Sequence, residues 1–306
     1  MITVKVPATS ANVGSGFDSL GLAVTLYNEL HLEEYEGLSI RSLDHVDVPC
    51  DETNLIYTTM KSMYELCGKP FYGVRFGQIN NIPLSRGLGS SSACIIGGLL
   101  AANHMMKFPF SRQEIINLAA SIEGHPDNTT PALLGGFVAS VFDGEEVHFV
   151  RQELHVGLKF AALIPDTELK TSLARSVLPK RISHKDAVYN LSRAALMSAS
   201  LATGSYHNLH CAAGDRLHQD YRLPMISGAE RAMKMMQEEG AYCTYISGAG
   251  STLMAMVPGD KEKIFYSRMR PRLDSEGYKK WNLLMLDADN TGAICVESIA
   301  LPDDIK

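Results

Sequence analysis

Residues 83–100 read PLSRGLGSSSACIIGGLL, a run of glycines and serines that passes straight into an apolar stretch and contains no lysine. A helix opening at residues 90–92 would present unpaired backbone N–H groups and the positive end of its dipole to the turn before it. Gly87 and Gly89 let the backbone approach an anion, and three consecutive serines add hydroxyls that can bond phosphate oxygens or ligate magnesium. The stretch is not a Walker A loop, and it lacks the third glycine of a dinucleotide fingerprint. Two readings stay open from these residues alone: a phosphate cradle that needs no lysine, or a tight turn leading into a small-residue helix packed on a sheet, with Gly97 and Gly98 as packing glycines.

The rest of the chain supplies strands and helices in mixed order. Residues 2–6, 20–35 and 73–76 favour strands, and about 53–66 and 90–106 favour helices. A third helix is signed more fully: Ser111 and Glu114 fit a capping box, Ile115, Ile116, Leu118, Ala119 and Ile122 repeat helically, and Gly124 with Pro126 stops it. A hairpin is expected around Asp143-Gly144. A strand at 158–164 opens a second series, with helices at about 185–203, 224–239 and 260–273 and strands at 242–247, 252–258, 281–287 and 293–299. At 306 residues the chain is comfortable for two closely associated domains, and we place the boundary near 152–157, giving units 1–155 and 156–306. No fixed-period repeat or low-complexity linker separates them, so a shared interface is expected.

Composition excludes several roles. A formal net charge of -6 disfavours a general nucleic-acid binder, which depends on a basic face. The longest apolar run, residues 93–102, is too short to span a membrane, and the N-terminus lacks the layout of a signal peptide. The six cysteines are scattered without metal-site spacing and read as reduced thiols of a cytoplasmic protein.

Three further stretches carry chemistry. In PATSANVGSGFDSLGLAV, residues 7–24, Asn12 and Asp18 sit in a glycine-interrupted loop after a strand; an Asp suits a substrate ammonium and an Asn both donates and accepts, although Asx residues beside glycines also form turns. In EGHPDNTTPALLGG, residues 123–136, Glu123, His125, Asp127 and Asn128 form a dense polar cluster at a helix C-terminus, able to hold a metal and orient a hydroxyl, or merely to cap and solvate a helix stop. In residues 240–256, a second glycine loop, ISGAGST, lies between two strands and could approach phosphate or simply turn the chain.

Taken in order, PATSANVGSGFD, PLSRGLGSSSA, EGHPDN and ISGAGST resemble the motifs of the GHMP small-molecule kinases, and within them the homoserine kinase family, from Val4 to about Met256. The resemblance implies an α+β fold of two domains: an N-terminal one of a kind shared with a ribosomal protein and a C-terminal ferredoxin-like one, with ATP between them. It implies that Pro83, Leu84, Ser85, Arg86, Gly87, Leu88, Gly89, Ser90, Ser91, Ser92 and Ala93 hold the triphosphate, that Asn54 contacts the adenine, and that Ser91 helps ligate Mg2+. Asn12, Asp18, His125, Asn128, Thr171, Arg175 and Arg222 match substrate-contacting positions. Asp18 suits the ammonium of L-homoserine and the two arginines its carboxylate. One departure is that Glu123 lies only two residues before His125, where many relatives place the magnesium-binding Glu eight or more before the histidine; either Glu123 substitutes, or phosphate and serine hold most of the metal. Thr129 and Thr130 stand where related sequences often carry small apolar residues.

The expected reaction is transfer of the ATP γ-phosphoryl to the side-chain hydroxyl of L-homoserine, in threonine biosynthesis. Asn12 and Asn128 would orient the hydroxyl, with Asp127 the candidate proton acceptor. The rivals are a kinase of the same superfamily acting on mevalonate, shikimate or a sugar, and a non-catalytic sensor binding nucleotide and metabolite. A homodimer is a possible assembly. A bulky residue at Gly89 is expected to abolish ATP binding and leave homoserine binding largely intact.

Overall fold

In a computed structural model, which describes residues 1–297, the chain builds two sheets. The first half runs β1 (Ile2–Ala11), β2 (Leu20–Glu34), β3 (Gly37–Ser42), α1 (Leu55–Leu66), β4 (Gly73–Asn80), α2 (Ser90–Met105), α3 (Arg112–Glu123), α4 (Pro126–Leu134), β5 (Phe137–Phe142) and β6 (Val147–Gln152). The second runs β7 (Leu158–Ile164), α5 (Thr171–Ser176), α6 (His184–Thr203), α7 (Leu209–Ala212), α8 (Gln219–Arg222), α9 (Ala229–Glu238), β8 (Cys243–Ile246), β9 (Leu253–Pro258), α10 (Glu262–Ser275), β10 (Asn282–Leu286) and β11 (Ile294–Glu297).

The seven-stranded sheet has the order β11-β1-β2-β4-β3, and the β5/β6 hairpin joins it through β2. The length of β2 explains this branching: its first residues pair with β5 and its later ones, from Asn28, with β4. The second sheet has the order β10-β7-β9-β8 and is antiparallel throughout. With helices between its first and second strands and between its third and fourth, that order is the ferredoxin-like arrangement. One face of this sheet, through Ala161, Leu163, Leu253 and Ala255, packs under α9 and α10. The other, through Phe160, Ala162, Met254 and Tyr245, joins the core of the N-terminal half. Both faces being buried, β9 reads as a continuous apolar run rather than an alternation.

The expected boundary at 155/156 falls between β6 and β7, but the chain then returns: β11 pairs with β1, so residues 294–297 belong to the first sheet. Residues 298–299 of the expected last strand lie outside the described residues. The capping box at Ser111 and Glu114 forms both of its hydrogen bonds. Several elements differ from the sequence reading, among them α5, α7 and α8, which lie where no helix is expected. β3 was not expected. The helix expected from 224 starts at Ala229, because the chain before it, from Gln219, breaks into short turns containing Pro224 and a left-handed Gly228. Finally, Pro126 does not merely end α3; it opens α4 at the first helical position, where its missing N–H costs nothing. Among the described residues no helix is long and apolar enough to cross a membrane.

Candidate active site

The glycine–serine loop does open a helix. Gly89 caps α2 in the left-handed region, φ 71°, and the helix begins at Ser90. A Cβ at Gly89 would lie 1.9 Å from the Thr9 hydroxyl, so only glycine fits here without displacing a neighbour. The loop is clamped from both halves of the molecule. Thr9 N donates to Leu88 O at 3.1 Å and Thr252 N to Arg86 O at 3.0 Å. The Ser247 hydroxyl of the second glycine loop donates to Gly87 O at 2.6 Å, and Arg86 donates to the carbonyls of Pro165 and Asp166. ISGAGST is therefore the brace of the first glycine loop as well as the turn between β8 and β9. The hydroxyl of Ser90, at the mouth of α2, is buried without a hydrogen-bond partner among the described residues, as a group awaiting an acceptor would be.

The loop forms one wall of a cleft of about 690 Å3, counting space open to solvent. Asn12, Asp18, Pro83, Ser85, Arg86, Gly87, Gly89, Ser90, Ser91, Glu123, His125, Asp127, Asn128, Thr171, Arg175 and Arg222 all line it, so residues up to about 210 positions apart in sequence meet there. Leu84, Leu88, Ser92, Ala93 and Asn54 do not. Leu88, Ser92 and Ala93 are buried behind the loop and support it. The Asn54 side chain caps α1 by accepting from Ile56 N, and donates to Pro49 O and Gln78 Oε1.

The same cleft is lined by the charged residues Asp18, Arg175 and Arg222. Arg175 grips Asp18 with two hydrogen bonds, 2.7 and 3.1 Å. Burial opposes the Arg175 cation, but Asp18 outweighs it and raises its pKa. Arg222, 1% exposed, donates through Nε to Ala174 O and through Nη1 to Gly248 O, leaving Nη2 with no acceptor among the described residues. Burial first, and the neighbouring Arg175 charge second, pull its pKa down to about 10, so it stays protonated at neutral pH. The Asn12 side chain is a staple: its Nδ2 donates to Gly248 O at 2.8 Å and its Oδ1 accepts from Asp18 N at 2.9 Å.

Glu123, His125, Asp127 and Asn128 of EGHPDN line the same cleft. His125 Nδ1 is 2.6 Å from Asp127 Oδ1. Burial works against the imidazolium, yet the Asp127 hydrogen bond and the charges of Asp127 and Asp18 raise the His125 pKa above its ordinary value. Asn128 Oδ1 accepts from the Thr9 hydroxyl at 2.8 Å, which fixes its amide. Across from the loop, the Ser91 hydroxyl donates to Glu123 Oε2 at 3.1 Å. The proximity of Glu123 to the histidine thus does not keep it from Ser91. Two hard oxygen donors side by side at the helix mouth suit magnesium, which takes oxygen ligands.

The sequence reading missed Thr9, Phe17 and His218. Thr9 and Phe17 both lie inside PATSANVGSGFD, whereas His218 lies outside the four motifs. The Thr129 and Thr130 hydroxyls are buried without partners among the described residues, and nothing in the surroundings explains them.

Comparison with known proteins fits this geometry. The profile of the GHMP kinases N terminal domain matches residues 54–136. A homoserine kinase of Clostridium beijerinckii is 45% identical over 299 residues, 97% of this chain and 99% of that one. Another, of Caldicellulosiruptor bescii, is 45% identical over 296 residues, 96% of each chain. The crystal structure of homoserine kinase from Cytophaga hutchinsonii superposes with a TM-score of 0.84 at 26% identity, covering 96% of this chain and 97% of that one. A mevalonate kinase, at 14% identity and a TM-score of 0.68, shares the fold alone. With two α+β layers meeting at a glycine–serine loop, and full-length relatives at this identity, the chain belongs to the homoserine kinases of the GHMP kinase superfamily.

Proposed function

We propose that the protein transfers the γ-phosphoryl of ATP to the side-chain hydroxyl of L-homoserine, giving O-phospho-L-homoserine and ADP. The observation that carries this reading is the cleft's polarity. Its lining combines a helix N-terminus with the unpaired Ser90 hydroxyl and, in the same cleft, one carboxylate and two guanidiniums, the complement of an α-amino acid head group. The backbone of residues 85–90 would cradle the phosphates. Asp18 would take the ammonium, and Arg175 and Arg222 the carboxylate, with the Asp18–Arg175 pair exchanging its mutual hydrogen bonds for those to substrate. Asn128, its amide held by Thr9, would orient the hydroxyl, with Asn12 holding the loop that carries Asp18. Asp127, held as part of the His125 pair, keeps Oδ2 to accept the hydroxyl proton as the new O–P bond forms and the bond to the ADP oxygen breaks. Ser91 and Glu123 would hold Mg2+, which when bound would offset negative charge on the phosphates. Most of the rate comes from positioning and charge neutralisation, to which proximity alone contributes on the order of 7–11 kcal/mol. We assign the protein to the cytoplasm, where its six unpaired cysteines would stay reduced.

A coupled ADP-release assay against homoserine, mevalonate, shikimate and sugars tests the reading, and faster turnover of any other alcohol would overturn it. Asp18→Asn should lower kcat/KM for homoserine by about 10- to 150-fold, the equivalent of a charged hydrogen bond of about 1.5–3 kcal/mol. For a substrate without an ammonium group the same change should hardly matter.

A further inference from the structure

Beside Arg222, His218 is fully enclosed, 0% exposed, and contacts three residues, Gly14, Phe17 and Arg222. Its Nε2 is 2.7 Å from the Gly14 carbonyl and its Nδ1 is 3.2 Å from Arg222 Nη1. Its ring stacks on Phe17, centroids 5.3 Å apart and 25° from parallel. The same Phe17 ring lies under the guanidiniums of Arg222 and Arg175, at 5.3 and 5.6 Å. Arginine has only donors, so Nδ1 must accept and carry no proton; the carbonyl of Gly14 only accepts, so Nε2 must be protonated. The neighbouring Asp215 does not compete for that proton. It lies 3.7 Å from Nε2, and its two oxygens already accept from Asn190 Nδ2 and from the backbone of Leu217, His218 and Gln219.

Resting on the homoserine reading above, we propose that His218 is a positioning residue for substrate. As the neutral Nε2–H imidazole it ties the guanidinium of Arg222, on α8, to the Gly14–Asp18 loop, so that the carboxylate-binding and ammonium-binding groups sit at a fixed separation. An imidazolium could not do this, because a second N–H would point at the Arg222 donors and place like charges together. The charged groups that face the ring are Asp215, Arg222 and Asp18. Burial, the dominant influence, lowers the His218 pKa, with Arg222 acting the same way and Asp215 opposing. The neutral form therefore persists below the ordinary histidine range, and substrate binding should fail on the acid side when it is lost.

The test has two arms. In wild-type enzyme with 15N-labelled histidine, the His218 imidazole should show a protonated Nε2 and an unprotonated Nδ1, unchanged from pH 8 to pH 6; a Nδ1–H tautomer or an ordinary titration would overturn the proposal, with no variant needed. In kinetics, His218→Leu should raise KM for homoserine at least tenfold while KM for ATP stays within twofold. His218→Asn, whose amide oxygen can accept from Arg222 near the Nδ1 position, should recover most of that loss. Equal rises in both KM values, or no advantage of Asn over Leu, would mean a merely structural histidine. Should the wild type phosphorylate another alcohol and not homoserine, the functional reading would fall, while the imidazole spectrum would still decide on His218.

Discussion

Gly89→Ala should damage the enzyme through Thr9 and Asn128 rather than through the phosphates alone. Alanine in the left-handed backbone of residue 89 costs about 1–2 kcal/mol. Its Cβ would sit 1.9 Å from Thr9 Oγ1 and 3.3 Å from Asn128 Oδ1, and Thr9 is buried with its hydroxyl bonded to that same oxygen. Thr9 must therefore rotate, leaving Asn128 Oδ1 without its donor at a cost of about 1–3 kcal/mol. The total is about 2–5 kcal/mol, and its second part falls on a residue we assign to homoserine. The expectation that a change at Gly89 would spare homoserine binding is accordingly revised: both substrates should lose affinity. A double-mutant cycle isolates the argument. Thr9→Ala removes the clashing oxygen and the same hydrogen bond, so adding Gly89→Ala to it should cost only the backbone strain. The combined loss, measured by urea unfolding and by kcat/KM in the ADP-release assay, should fall short of the sum by about 1–3 kcal/mol. Additivity within about 0.5 kcal/mol would refute the reasoning, since independent sites behave that way.

Asn54→Ala should destabilise the fold by about 2–4 kcal/mol, because it removes the cap of α1 and leaves Pro49 O and Gln78 Oε1 without their donor; a rise in KM for ATP with unchanged urea stability would instead favour direct contact with the base. His125 has a raised pKa in the folded protein, so its stabilising contribution is complete below the ordinary histidine value and is lost as pH rises through the folded value. Unfolding free energy should fall from about pH 6 toward alkaline pH more steeply in wild type than in His125→Gln, by at most about 1.4 kcal/mol per pH unit for one proton, and identical slopes would contradict it.

What could be read from sequence was local or cumulative. The capping box at Ser111 and the turn at Asp143-Gly144 are decided by neighbours, and both form. The cleft was legible because four separate motifs each contribute a few residues, although none of them alone distinguishes a ligand from a turn former. The failures share a different cause. α4 was hidden because Pro126 reads both as a stop for α3 and as a start, and only the packing against β1, β2 and β5 makes the second reading win. Asn54, which the resemblance places at the adenine, spends its amide protons on Pro49 O and Gln78 Oε1. His218 is hidden for a related reason: besides Arg222, four residues on, its partners Gly14 and Phe17 lie some 200 residues away and meet it only when α8 docks on the first loop.

The same long-range logic explains why the cleft lies where it does. Gly248 O accepts from both Asn12 and Arg222, and Ser247 bonds both Ser10 and Gly87, so one short turn between β8 and β9 holds the β1–β2 loop, the glycine–serine loop and the Arg222 guanidinium. Neither half of the chain contains the site. The N-terminal half carries the glycine–serine loop and Asp18; the C-terminal half carries both guanidiniums and the brace. Because Phe160, Tyr245 and Met254 of the second sheet share a core with the first half, and β11 returns to pair with β1, the halves are fastened together at two places. That fastening would hold the loop of residues 85–90 and the Asp18–Arg175 pair at a fixed separation, on which the in-line transfer proposed above depends.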